Sequence, residues 1–207
     1  MDLKTAKVTG SQSLDNSEAR WIKLKKITYN DPLAKPRDWE SAERTTRPAG
    51  SDIDGVGIIA ILQRANGRQE IMLQKQFRAP VDKVCIEVPA GLIDSGETAE
   101  QCAERELLEE TGYVGKAEET SCVMFNDPGF CNTNLRLVRV EVDMSLPENQ
   151  NPQPNLEENE FIEVFTVPLV TMWEEMKKLE AEGYAIDARI GTIAEGVELA
   201  KRLGVKL

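Results

Sequence analysis

The chain has 207 residues, 36 acidic against 25 basic for a formal charge of −11, and no histidine. That length buries a full core in one main domain, and the acidity, with no basic stripe, excludes a nucleic-acid-binding surface. Without imidazole, any base must be a carboxylate or water activated by a metal. Residues 1–19 are polar, mixed in charge and lack an apolar stretch, so they read as a mobile tail, neither signal peptide nor membrane anchor. No run approaches the length needed to span a bilayer. The alternation from Trp21 to Tyr29 predicts a strand, Asn30-Asp31-Pro32 a turn, and Trp39 to Thr46 a second strand, together a hairpin-like arm over residues 20–50.

Residues 55–62 and 70–77 read as buried strands joined by a hairpin turn at Ala65-Asn66-Gly67, and Val84 to Val88 as a shorter one, after which Pro89-Ala90-Gly91 leads toward a helix. Thr98, followed three residues on by Gln101, is a capping-box pattern, and Gly112 suits the left-handed position that ends a helix, so a helix is expected from Thr98 to Thr111. Strands follow at 120–125 and 134–142, separated by the turn-forming Asn126 to Asn132. Ser145 to Glu160 is too polar and proline-rich to pack, and reads either as a functional loop or as a surface insertion. A last strand at 161–167 and two helices, 171–182 and 187–203, close the chain, their apolar periodicity marking them as scaffold. Cys85, Cys102, Cys122 and Cys131 lack metal-site spacing and read as reduced thiols in or near the core. A soluble protein of the cytoplasm, or of the nucleus, is expected.

The chemistry concentrates between Gly91 and Tyr113. At about 100° per residue, Glu106, Glu109 and Glu110 fall on one helical arc with Ala99, Cys102 and Ala103. A glutamate-rich helix is more often a solvated face, but like charges three and four residues apart destabilise a helix, and here they cluster beside the apolar stripe. That placement points to a cation. Oxygen ligands select hard ions, Mg²⁺ first and Mn²⁺ second.

These residues fill every fixed position of Gly-x5-Glu-x7-Arg-Glu-U-x-Glu-Glu-x-Gly-U, with U bulky and apolar and Tyr113 an unusual final U. The chain thereby resembles the Nudix hydrolases. Leu73-Gln-Lys-Gln-Phe-Arg78, Ile86-Glu-Val-Pro-Ala-Gly91 and Pro128, sixteen positions after Gly112, resemble the ADP-ribose pyrophosphatase branch. Trp21 and Trp39-Glu-Ser-Ala-Glu-Arg-Thr-Thr-Arg47 resemble the eukaryotic ADP-sugar pyrophosphatases.

The resemblance implies an α/β Nudix fold, a mixed β-sheet sandwiched between α-helices, with the N-terminal β arm serving dimerisation and adenine binding and residues 51–207 forming the hydrolase domain. It implies Mg²⁺-dependent hydrolysis of ADP-ribose, or other ADP-sugars, to AMP and ribose 5-phosphate. The alternatives are oxidised nucleoside diphosphates such as 8-oxo-dGDP, or a ligand sensor without turnover. Glu106, Glu109 and Glu110 with the carbonyl of Ala90 would hold metal, Arg105 would orient the glutamates, and Glu97 would support them from outside the metal shell. Glu160 matches the family's general base, with Glu157 and Glu158 close in sequence, and Glu87 is a further candidate near the metals. Trp21 and Trp39, from different subunits of a homodimer, would stack on adenine. Glu40 would read its edge, Arg44 and Arg78 would contact phosphate or ribose, Asp127 would contact ribose across the dimer, and the backbone of Leu92 would touch substrate. Lys75 and Arg47 complete the available cations.

Overall fold

The structure is a computed structural model that describes residues 2–64 and 66–205. Among the described residues, eleven strands and three helices follow one another as β1 (Ile22–Asn30), β2 (Pro36–Arg44), β3 (Gly55–Gln63), β4 (Gln69–Arg78), β5 (Lys83–Glu87), β6 (Ala90–Leu92), α1 (Ala99–Thr111), β7 (Lys116–Thr120), β8 (Met124–Phe125), β9 (Asn134–Val142), β10 (Ile162–Pro168), α2 (Met172–Ala181), β11 (Ala185–Ile186) and α3 (Ala188–Arg202). β3 to β11 form one mixed sheet, in which β3 runs parallel to β9 and β11 parallel to β5 while the other pairs are antiparallel.

The alternation within β3 explains the two-sided core. Val56, Ile58, Ala60 and Leu62 are buried with Val138 and Val140 of β9 against Cys102, Ala103 and Leu107 of α1. Ile59 and Ile61 face the opposite layer, where Ile71, Leu73, Ile86 and Val88 meet Met172 and Met176 of α2 and Ile190 and Ala194 of α3. Strands covered on both faces read as continuous apolar runs, as β3 does. The expected sandwich of a mixed sheet between helices is the architecture found.

The sheet is irregular at β4, which pairs with β10 and also divides a second set of partners between β3 and β5. β3 pairs with the Gln69–Ile71 end of β4, whereas β5 pairs with its Gln74–Arg78 end. After Glu87 the chain leaves β4 and joins β3, where Ala90 and Gly91 pair with Gly57 and Val56, and the Pro89 carbonyl accepts from Ile58 N–H at 2.8 Å. From sequence, the three residues of β6 are expected only as a lead-in to the helix. They form a strand because their partner edge on β3 is vacated by β4, information absent from the residues themselves.

Several expectations need correction. The strand expected at 120–125 is two short ones, β7 and β8, interrupted where Ser121 bonds β9 through its backbone and side chain. The start of the tail touches the domain: Leu3 is buried, Lys4 donates to the Glu182 carbonyl at 3.2 Å and sits over the Tyr184 ring, and Val8 N–H donates to Asp82 at 2.7 Å, while residues 9–18 are exposed. The 145–160 segment is exposed along most of its length, as expected, but is anchored at two points. Asn149 is buried, its side chain bonding both N–H and C=O of Val114, and Asn155 N–H donates to the Glu109 carbonyl at 2.8 Å. Of the turn expected at Ala65-Asn66-Gly67, Ala65 lies outside the described residues.

The arm stands apart from the sheet. β1 is exposed along its whole length, and β2 is buried only at Ala42, which exchanges backbone hydrogen bonds with Phe130 and Asn132. Ile22, Leu24, Ile27, Tyr29, Leu33 and Trp39 are all exposed.

Candidate active site

α1 begins and ends as its sequence dictates. Thr98 accepts from Gln101 N–H at 3.2 Å while Gln101 accepts from Thr98 N–H at 2.9 Å, and Gly112 closes the helix at φ +74°. A side chain at Gly112 would strike the backbone of Gln153, so the same glycine lets the polar loop close onto the helix. The anchored helix presents its acids to the junction between β5 and β6. Glu110 is buried, and one carboxylate oxygen accepts from Ala90 N–H at 3.0 Å. Beside it Gln74 is also fully buried, its amide at the limit of bonding distance from Glu110 and its Oε1 without a protein partner among the described residues. Glu106 lies in the space where a Cβ of Gly91 would be, 1.8 Å from its own Cδ. Only glycine at 91 allows that approach.

Arg105 is bonded on nearly every side. It donates to both carboxylate oxygens of Glu97 at 2.9 Å, to Glu106 at 2.8 Å, to Glu109 at 3.1 Å and to the Leu92 carbonyl at 3.2 Å. These carboxylates hold its guanidinium well above even its ordinary range. Glu97 is pulled below the usual carboxylate range, chiefly by Arg105, against the opposing effect of burial. Burial acts in the other direction on the remaining acids. It raises Glu106 in spite of Arg105, and pushes Glu110 up to about 8 although the Ala90 N–H favours its anion. Glu160 adds to both shifts through its charge, which places it near the pair. Its carboxylate accepts from Glu157 N–H at 3.0 Å, and Glu160 N–H returns a bond to the Glu157 carbonyl at 3.0 Å, closing a turn.

A metal is testable against this donor set. One buried and one half-buried carboxylate, both driven toward their protonated forms by burial, an unpartnered amide oxygen beside the first and a backbone cradle for the second make an all-oxygen environment suited to a hard divalent cation. Among the described residues no three carboxylates are gathered around one point, because Arg105 holds Glu106 and Glu109 while Ala90 holds Glu110. Arg105 engages one oxygen each of Glu106 and Glu109, so the second oxygen of each would remain available to a cation.

A cleft of about 970 Å³ opens beside Ala90, Gly91 and Leu92 and is lined by Arg44, Arg78 and Arg189. Of the four cations singled out in the sequence, Arg44 and Arg78 are in its wall. Arg47 instead makes two bonds to Asp54, at 3.0 and 2.7 Å, and Lys75 bonds Glu163 and lies over Phe165. Glu87 is buried and receives Arg78 through two bonds of 2.7 Å, so it serves the arginine. Asp127 is exposed, on a loop whose Gly129 carbonyl accepts from Trp39 Nε1 at 3.0 Å, and Glu40 is exposed next to Trp39 on β2. Trp21 is 57 % exposed, with Arg20 stacked over it, and Trp39 49 %. Asp187 and Arg189, at the start of a helix whose sequence reads as scaffold, are cleft residues that apolar periodicity does not reveal, since it says nothing of what caps a helix.

The NUDIX domain model matches residues 54–188, about two thirds of the chain, including the acids of α1, Ala90, Gly91 and Arg78 but not the arm or Arg189. The chain belongs to the Nudix family. Hydrolases of this family use divalent metal ions, in keeping with the oxygen donors around α1. It is 56 % identical over 193 residues to a Saccharomyces cerevisiae protein named ADP-ribose pyrophosphatase, covering 93 % of this chain and 83 % of that one. It is 39 % identical over 175 residues to the Mus musculus ADP-sugar pyrophosphatase, covering 84 % and 80 %. A solved structure described as an ADP compounds hydrolase shares the fold at TM-score 0.58 and 16 % identity, covering 97 % of this chain and 94 % of that one. This Nudix chain is an enzyme, a hydrolase of phosphoric anhydrides.

Proposed function

We propose that the chain hydrolyses the pyrophosphate of ADP-ribose, and of other ADP-sugars, to AMP and the sugar phosphate, with Mg²⁺ as its metal and as a homodimer with shared active sites. The observation that carries the reading is half-buried Glu106 and buried Glu110, held against Gly91 and Ala90, which line a cleft walled by arginines. The names of the yeast and mouse relatives support the substrate class. A sensor would not need a full set of repelling carboxylates, and neither that reading nor one on oxidised nucleoside diphosphates is favoured.

Glu106, Glu110 and the Ala90 carbonyl would hold the metal, with Glu109 as a further ligand. When bound, the metal neutralises the phosphate oxygens and lowers the pKa of an attacking water. Arg105 and Glu97 orient the glutamates. Arg44 and Arg78 draw in and hold the diphosphate, offsetting locally a chain charge of −11. Glu160 is the proposed base that takes the proton from water, with its backbone tethered to Glu157 and the loop before it to α1. The backbone of Leu92 contacts the substrate between the two.

Trp21, Trp39 and Glu40 would receive the adenine, and Asp127 the ribose side. Trp21 lies opposite Thr45 and Trp39 opposite Ile27, six ladder positions away from Trp21, or roughly 20 Å at about 3.3 Å per residue. One stacked base cannot bridge that gap. A sandwich therefore takes Trp21 from one subunit and Trp39 from another, which supports the homodimer and the arm as its dimerising element.

The test is product formation by purified protein with Mg²⁺, comparing ADP-ribose with ADP-glucose, a dinucleotide and 8-oxo-dGDP by chromatography. Preference for ADP-ribose with AMP as product is expected. Preference for 8-oxo-dGDP would overturn the substrate, and absence of turnover on all four would overturn the enzyme reading of this site.

A further inference from the structure

Arg78 and Arg189 share one wall of the cleft, and each is bonded along a single edge. Arg78 gives Nε and Nη2 to the two oxygens of Glu87, both at 2.7 Å. Arg189, in the first turn of α3, gives the same two nitrogens to Asp187 at 2.7 and 2.8 Å. Asp187 is fixed in turn: its N–H donates to the Ile86 carbonyl at 3.0 Å, and its carboxylate caps α3 at Arg189 N–H, 2.8 Å away. Buried Glu87 links the two systems, lying 4.0 Å from Arg189 Nη2.

The remaining edges point to a use beyond bracing. Neither Nη1 has a hydrogen-bond partner among the described residues. Arg189 Nη1 stands over Gly57, 3.8 Å from where a Cβ would be, and Gly57 pairs with Ala90. Four alternating charges could merely pin α3 to the sheet. That accounts for the bonded edges, but leaves two guanidinium faces unbonded in the same cleft. A guanidinium held by a carboxylate on one side loses little further freedom when an anion meets its other side. Asp187 remains ionised for this purpose, because Arg189 holds its pKa below the ordinary range in spite of burial.

We propose that Arg189 is a substrate-binding residue that, together with Arg78, grips the diphosphate of the substrate, with Asp187 as its positioning residue. The proposal rests on the reading of the chain as a hydrolase of ADP-linked sugars. It assigns to the start of α3 a part in recognising the diphosphate of the substrate over its nucleoside.

The experiment is calorimetric titration of the full chain with ADP and with adenosine, in EDTA, so that the arginines and not a metal draw the anion. Wild type should bind ADP more tightly than adenosine. Arg189→Gln should lose about tenfold or more in ADP affinity, the worth of a charge-assisted hydrogen bond, with adenosine binding unchanged. Asp187→Asn should lose less. Equal affinity of wild type for ADP and adenosine, undiminished ADP binding by Arg189→Gln, or an equal loss for both ligands would overturn the proposal, the last because bracing alone produces it. Should Arg189→Gln fail to melt cooperatively, Arg189→Lys decides: it keeps the charge without the fork, so ADP binding equal to wild type overturns the site and weakened binding supports it. Turnover separates this from the broader reading. A wild type that grips ADP through Arg189 yet leaves ADP-ribose intact keeps the site and removes the substrate assignment, whereas normal cleavage of ADP-ribose with no effect of Arg189→Gln on KM or ADP affinity removes the site alone.

Discussion

Gly91 and Glu106 compete for one volume, and the carboxylate occupies it because the glycine has no side chain. In Gly91→Ala the atom in the way is the end of a flexible side chain, so Glu106 swings out and the fold survives. We expect a melting temperature close to wild type and a loss of turnover of at least about a hundredfold, comparable to removing a preorganised electrostatic contact. An equally large fall in melting temperature would mean that the glycine serves packing. Glu160→Gln tests the proposed base: kcat should fall by about two orders of magnitude or more while KM moves little, in the range assigned to general-base catalysis. Near-normal turnover would pass the role to Glu157 or Glu158. Glu110 carries a pH signature. Its folded pKa of about 8 exceeds its ordinary value of 4.5, so its contribution to stability is fully present below about 4.5 and is lost as pH rises through about 8. Metal-free protein should therefore lose melting temperature across that window, and Glu110→Gln should flatten the slope.

At the scale of elements, the arm is the least self-sufficient part. A two-stranded hairpin is marginal in water, and this one leaves its apolar side chains exposed while touching its own domain at Ala42 and Trp39. Leu24→Glu with Ile27→Glu should yield monomers in sedimentation and abolish turnover without unfolding the 51–207 region; a dimer that persists would move the interface elsewhere. Trp39→Ala should raise KM by roughly tenfold, the worth of one stacked base, and an unchanged KM would remove adenine from that ring. The elements themselves are legible where local chemistry decides them. Asn134–Val142 alternates in a way that fits a strand and is β9, and the Thr98 box and Gly112 bound α1. What is not legible depends on distant partners: β6 needs the edge of β3, the polar loop needs Val114 and the end of α1, and Leu3 needs β4 and β5. Likewise, the sequence offers Arg47 and Arg78 as equal cations, each paired through Nε and Nη2, to Asp54 and Glu87, and only the three-dimensional course of the chain puts Arg78 and not Arg47 on the cleft.

The whole molecule is an acidic enzyme acting on an anionic substrate, so its function depends on local reversals of charge. A divalent cation that binds only the folded chain stabilises it by about 2.7 kcal/mol at a hundred times its Kd, or about 5 to 10 °C in a chain of this length. Mg²⁺ titration should show that rise, Glu110→Gln should blunt it, and a melting temperature indifferent to Mg²⁺ would contradict a site at Glu106 and Glu110. The part played by Arg105 gives that titration its meaning. A side chain shared among Glu97, Glu106 and Glu109 offsets part of their mutual repulsion before any ion arrives. The metal-free chain can then fold with its acids already in place, and an ion bound there would complete a charge balance that one guanidinium leaves unfinished.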